Sequence, residues 1–129
     1  LNKKVEKLPV NFGSVTGDFW CNHNNLTSFE GCPTKVGDNF CCHSNKLTSL
    51  KGCPKYIGGD FNCSNNNLKT LKGCPKSIGG HFFCDNNNLT SLKGCPKQVG
   101  DGFYCDDNLK NTKEYRQYLI IKKLRDWQS

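Results

Sequence analysis

Cys41 and His43 have the types and spacing of a nucleophile and its base. They stand two residues apart, so on an extended strand both face one side, with Asp60 close by if the chain winds as described below. Nothing around them supplies an oxyanion hole, and an open strand surface excludes no water, so the chain is read as non-enzymatic, with no catalytic residue assigned. The cysteines, ten in 129 residues, offer two further chemistries. A zinc site is disfavoured because there is no Cys-x-x-Cys and the intervals alternate between 11 and 10 residues. Neither a metal nor another cofactor is expected. Gly58-Gly59 and Gly79-Gly80 suit turns ahead of strands better than a phosphate loop. The threonines Thr27, Thr48 and Thr90 would line an ice-binding face, but Lys69 interrupts them.

Those intervals belong to a longer period. Gly-Cys-Pro ends at Pro33, Pro54, Pro75 and Pro96, every 21 residues, and such a period marks a stacked solenoid. Phe82 and Cys84 alternate with His81, Phe83 and Asp85, the periodicity of a strand. Five such strands in register give a parallel sheet whose inward columns are Phe19, Phe40, Phe61, Phe82, Phe103 and Cys21, Cys42, Cys63, Cys84, Cys105. Leu26, Leu47, Leu68, Leu89 and Phe29, Leu50, Leu71, Leu92 follow. Cys32, Cys53, Cys74, Cys95 and Val15, Val36, Ile57, Ile78, Val99 line the return side. Asn24, Asn45, Asn66, Asn87 and Asn108 form an inward polar column, expected to satisfy backbone groups where the strand turns. Nine thiols thus serve as core filling. Neighbours in a column stand about 4.8 Å apart, whereas disulfide Cβ atoms want about 3.8 Å. Reduced thiols imply a cytosolic compartment.

Phe82-x-Cys84-x-x-Asn87-x-Leu89-x-x-Leu92 resembles the leucine-rich repeat, with Phe and Cys in two leucine slots; the resemblance runs from Val15 to about Asn108. It implies a right-handed leucine-rich-repeat solenoid with a parallel sheet on the concave face and a mostly irregular convex side. Residues 1–14 are read as an N-terminal half-coil cap, with Val5 and Leu8 inward and Lys3, Lys4 and Lys7 in water. Residues 15–110 hold five repeats and 111–129 a capping helix, all one domain. In the fifth repeat Lys110 takes the leucine slot, one place after Leu109. Asn111 with Glu114 reads as a capping box. Tyr115, Tyr118, Leu119, Ile120, Ile121, Leu124 and Trp127 make a wide apolar band, one side closing the stack and the other open to a docking partner or a membrane surface, and Arg116, Lys122, Lys123 and Arg125 a polar face. No membrane span and no signal peptide is visible.

Structure asks for no large aromatics outside. The outward column Trp20, Cys41, Asn62, Phe83, Tyr104, beside Asp60 and His81, is therefore read as the partner-binding face. Its surroundings are acidic (Asp18, Asp60, Asp85, Asp106, Asp107), which favours a polypeptide over DNA and suits a basic one. The net charge of +7 collects instead on the return side, in Lys51, Lys72, Lys93 and Lys55, Lys76, Lys97, a solvated edge or a stripe for phosphates. The wording of Leu89–Lys97, Leu-Thr-Ser-Leu-Lys-Gly-Cys-Pro-Lys, is further similar to short repeat proteins of tailed bacteriophages and other large DNA viruses. That resemblance implies a small non-enzymatic protein in the host cytoplasm that binds a host protein, such as a defence or transcription component, and blocks or redirects it; the chain is expected to be a monomer. A nucleic-acid binder using the lysine edge and a self-assembling virion module are the other classes.

Overall fold

The computed structural model describes residues 4–8 and 11–128; the expected placement of Lys3 lies outside them. Every coil carries two short strands, and like strands stack in parallel across successive coils. Strands β1 (Ser14–Val15), β3 (Lys35–Val36), β5 (Tyr56–Ile57), β7 (Ser77–Ile78) and β9 (Gln98–Val99) form one five-stranded sheet. Strands β2 (Phe19–Trp20), β4 (Phe40–Cys41), β6 (Phe61–Asn62), β8 (Phe82–Phe83) and β10 (Phe103–Tyr104) form the other. The register is 21 residues throughout, Phe40 opposite Phe61 and Val36 opposite Ile57. The chain is a parallel-strand β-solenoid with a C-terminal helix. The sheet of even-numbered strands is the one expected from the repeat; the other adds a second ladder on the return path, and the rest of each coil is turn and bend.

The second ladder depends on one glycine column. A Cβ on Gly58 would lie 1.9 Å from the carbonyl oxygen of Gly37, and one on Gly79 2.0 Å from that of Gly58, so backbone rests directly on backbone. Thr16 holds the same place in the first coil. At the opposite corner Gly52, Gly73 and Gly94 take φ of +86°, +90° and +88°, and the amide of the following cysteine donates back to Leu50, Leu71 or Leu92 at 3.0 Å. This is the φ that the third residue of a type II turn requires.

The strand and leucine columns are filled as expected, whereas Cys32, Cys53, Cys74 and Cys95 on the return side are only partly buried against the core. Phe40, Phe61, Phe82, Leu47, Leu50, Leu68 and Leu71 are fully buried, and all ten cysteines are unpaired. The phenylalanines stack along the axis, Phe40 on Phe61 at 5.5 Å and Phe61 on Phe82 at 5.8 Å. Phe12, in the slot that later coils give to proline, covers Phe19 at 4.9 Å.

Asparagines form the expected ladder. Nδ2 of Asn66 donates to the carbonyls of Cys63 in its own coil and Cys42 in the coil before, while its Oδ1 accepts from the Leu47 amide at 3.0 Å. Asn45 and Asn87 repeat this, and Asn24 accepts from the Val5 amide of the half coil at 3.1 Å. Asn108 does not join. It lies exposed in the 3-10 turn Asp107–Leu109, which swings Leu109 into the core and leaves Lys110 outside.

Helix α1 (Lys113–Gln128) closes the far end. Its cap is Thr112, whose hydroxyl oxygen accepts from the Tyr115 amide at 3.3 Å, one residue later than the capping box read from Asn111 and Glu114. Tyr118 packs on Phe103 at 5.3 Å. The helix also completes the ladder edge. Within the stack the amides of Gly79 and Gly100 donate to Ile57 and Ile78. The next carbonyl in that column, Val99, takes Nη2 of Arg125 at 2.9 Å. Asp101 similarly accepts the Tyr118 hydroxyl at 2.6 Å. Two side chains thus stand in for the backbone donors of a further coil.

Candidate binding face

The outward column is realised as neighbouring rungs: Trp20 pairs with Cys41, Cys41 with Asn62, Asn62 with Phe83 and Phe83 with Tyr104. Its aromatics do not form one patch. Phe83 and Tyr104 stack face to face at 4.7 Å and 9°, with His81 5.9 and 5.7 Å from the two rings. Trp20, 68% exposed, sits three rungs away, about 14 Å at the usual strand spacing. The small Cys41 and Asn62 leave a gap between, and Asn62 turns its Oδ1 to the Ser64 amide and hydroxyl at 3.0 and 2.6 Å.

Asp60 and His81 have a structural use. Asp18 accepts from the Asn39 amide, Asn39 from Asp60 and Asp60 from His81, at 2.8, 2.8 and 2.7 Å. Nδ1 of His81 then accepts from the Gly102 amide at 2.9 Å, which leaves Nε2 as the ring's free edge. Each side chain bridges to the next coil. The column ends in Gly102, where no coil follows. That change of residue type is a signal the sequence carries, and it separates this column from the aromatic one.

Cys41 and His43 are not joined. Nδ1 of His43 lies 3.2 Å from the Ser44 hydroxyl, and its ring packs edge-on against His23 at 4.9 Å. Burial lowers the His43 pKa, and the His23 charge adds to this. Burial raises the Cys41 thiol, with Asp18 and Asp60 adding to it, the reverse of thiolate activation.

The stacked pair borders two clefts that also involve α1. One, of about 520 Å³, lies among Phe83, Asp85, Tyr104, Lys110, Tyr118 and Lys122. The other, of about 320 Å³, lies among His81, Gly102, Tyr104, Lys122 and Arg125. Lys110 pairs with Asp107 at 2.8 Å, which lowers the Asp107 pKa through their hydrogen bond. This end of the face is therefore not simply acidic. Lys110 was visible in the sequence as the break in the leucine slot. Lys122 was not, because nothing in the sequence says which helix face turns toward Tyr104. A larger cleft of about 650 Å³ runs on the other side of α1, between Ile121 and β9.

The six edge lysines are all exposed, and among the described residues none has an acidic partner within ion-pair distance. No group of three His, Cys, Asp or Glu side chains among those residues is placed to hold a metal ion. No helix among them is long and apolar enough to cross a membrane. The chain matches no family model, no curated protein and no solved structure. What is established is the class, a parallel-strand β-solenoid closed by a helix.

Proposed function

We propose that this solenoid is a non-enzymatic binding module that docks a polypeptide on the outer face of the even-numbered strands, at its helix end. The observation that carries the reading is the Phe83–Tyr104 pair, a rigid aromatic surface on the outside of a sheet whose core is already filled. Two clefts bordered by Tyr104 give a partner's side chains somewhere to enter, and Lys110, Lys122, Asp85 and the free edge of His81 offer polar contacts. The raised Cys41 thiol and the His43–Ser44 contact favour binding over catalysis.

The leucine-rich-repeat pattern and the resemblance to short viral repeat proteins extend the proposal. The partner is a host protein, the chain works in the host cytoplasm as a monomer, and docking blocks or redirects the partner. The unpaired thiols support a reducing compartment. Affinity capture from bacterial lysate tests this. Phe83→Ala with Tyr104→Ala loses the captured protein while the circular dichroism spectrum is kept, and Trp20→Ala weakens capture less. Undiminished capture by the double variant would refute the assignment.

A further inference from the structure

The two lysine columns of the return side form a fixed grid. Each column has three members, one coil apart, at a rung spacing of about 4.8 Å, so each spans about 10 Å. Their backbones are pinned. The amides of Lys51, Lys72 and Lys93 donate to the hydroxyl oxygens of Ser49, Thr70 and Ser91 at 3.1, 3.4 and 3.3 Å. The amide of Lys76 donates to the Lys55 carbonyl at 2.9 Å and that of Lys97 to the Lys76 carbonyl at 3.1 Å. The positive-φ glycine between the columns repeats the same turn in every coil. Like charges are thus held close together on a backbone that cannot spread, within about one screening length of about 8 Å at physiological salt. Beside the grid, on the odd-numbered strands, Lys35 pairs in register with Tyr56, which is 54% exposed.

We propose that this grid binds the phosphodiester backbone of a nucleic-acid strand laid along the solenoid axis, with Tyr56 stacking a base. Lysine rows read no sequence, so recognition is of charge spacing and not of base order. An exposed aromatic ring next to a basic row is the arrangement that holds single strands. The surface is separate from the Phe83–Tyr104 face, so the two readings stand or fall independently.

Fluorescence anisotropy with a labelled thymidine oligonucleotide tests it. About three phosphates of one strand lie along the roughly 10 Å of the rows, which predicts a salt slope of about −2, a loss of roughly 20-fold between 50 and 200 mM salt. Lys72→Glu with Lys76→Glu is expected to weaken binding at least tenfold. Lys113→Glu with Lys123→Glu, an equal charge change on exposed positions of α1, changes it less than threefold, and Tyr56→Ser weakens single-strand binding only. No binding at 50 mM salt, equal loss in both charge-reversal pairs, or retention on heparin without binding to DNA or RNA would each overturn the proposal.

Discussion

The ring of Tyr104 lies over Gly102, so that a Cβ on residue 102 would stand 2.6 Å from the tyrosine oxygen and 2.7 Å from ring carbons. Gly102→Ala is therefore expected to push the ring off its seat and unstack it from Phe83. The His81–Gly102 hydrogen bond uses backbone and is kept. The Phe83 ring resonances should shift downfield in an NMR spectrum as they lose the tyrosine ring current. Capture should fall as it does in the double aromatic variant, with thermal stability changed little.

The asparagine ladder sets a stability scale. Asn66→Ala removes two inter-coil bonds and leaves the Leu47 amide buried without its acceptor, a loss of about 2–4 kcal/mol. Asn108→Ala, at the equivalent but exposed position, should lie within about 0.5 kcal/mol of the parent. Urea unfolding of the two variants side by side measures the difference.

Gly58→Ala should be far worse than its size suggests. The added methyl group meets a backbone carbonyl at 1.9 Å, and a stacked ladder has no flexible side chain there to move aside. Loss of cooperative unfolding or of soluble protein is expected. Thr16→Ala, in the same column of the first coil, should leave the melting temperature within a few degrees.

Alkali should unfold the protein. Burial pushes the thiol of Cys21 up to about 12 and that of Cys105 up to about 11, and raises Cys42, Cys63 and Cys84 as well. Raised folded-state values mean that the unfolded chain releases protons first, so this stability is intact below pH about 9 and is lost as pH rises through the window up to 11–12. Each thiol then costs up to about 1.4 kcal/mol per pH unit, and the five buried ones together roughly 7, comparable to the whole stability of a domain. Melting temperature followed from pH 8 to 10.5 should fall steeply. A flat profile would show that the thiols titrate freely in the folded chain.

The inward columns were legible in the sequence because one residue type recurs at one interval, and burial enforces it at Phe40, Phe61 and Phe82 alike. Strands β1, β3, β5, β7 and β9 were not, since two residues such as Tyr56-Ile57 carry no alternation to detect. The outward aromatics were legible as exceptions, but their grouping was not. Ring contact between Phe83 and Tyr104 follows from adjacent rungs, whereas Trp20 is separated from them by Cys41 and Asn62. The bridging work of Asp60 and His81 was hidden because an acceptor one rung from an amide can be recognised only with the register in hand. Position 111 was read for position 112 at the helix start because both residues can cap, and only Thr112 points its oxygen back at the Tyr115 amide.

The side chains that meet the Val99 and Asp101 carbonyls make the helix end a terminus in its own right, independent of how many windings precede it. Inserting a duplicate 21-residue cassette between Asn62 and Phe83 would leave both ends as they are. It would lengthen the lysine rows by one and move Trp20 one step farther from the stacked pair. Reach along the axis is therefore adjustable in whole increments, and a protein of this construction can serve as a calibrated spacer between two recognition elements.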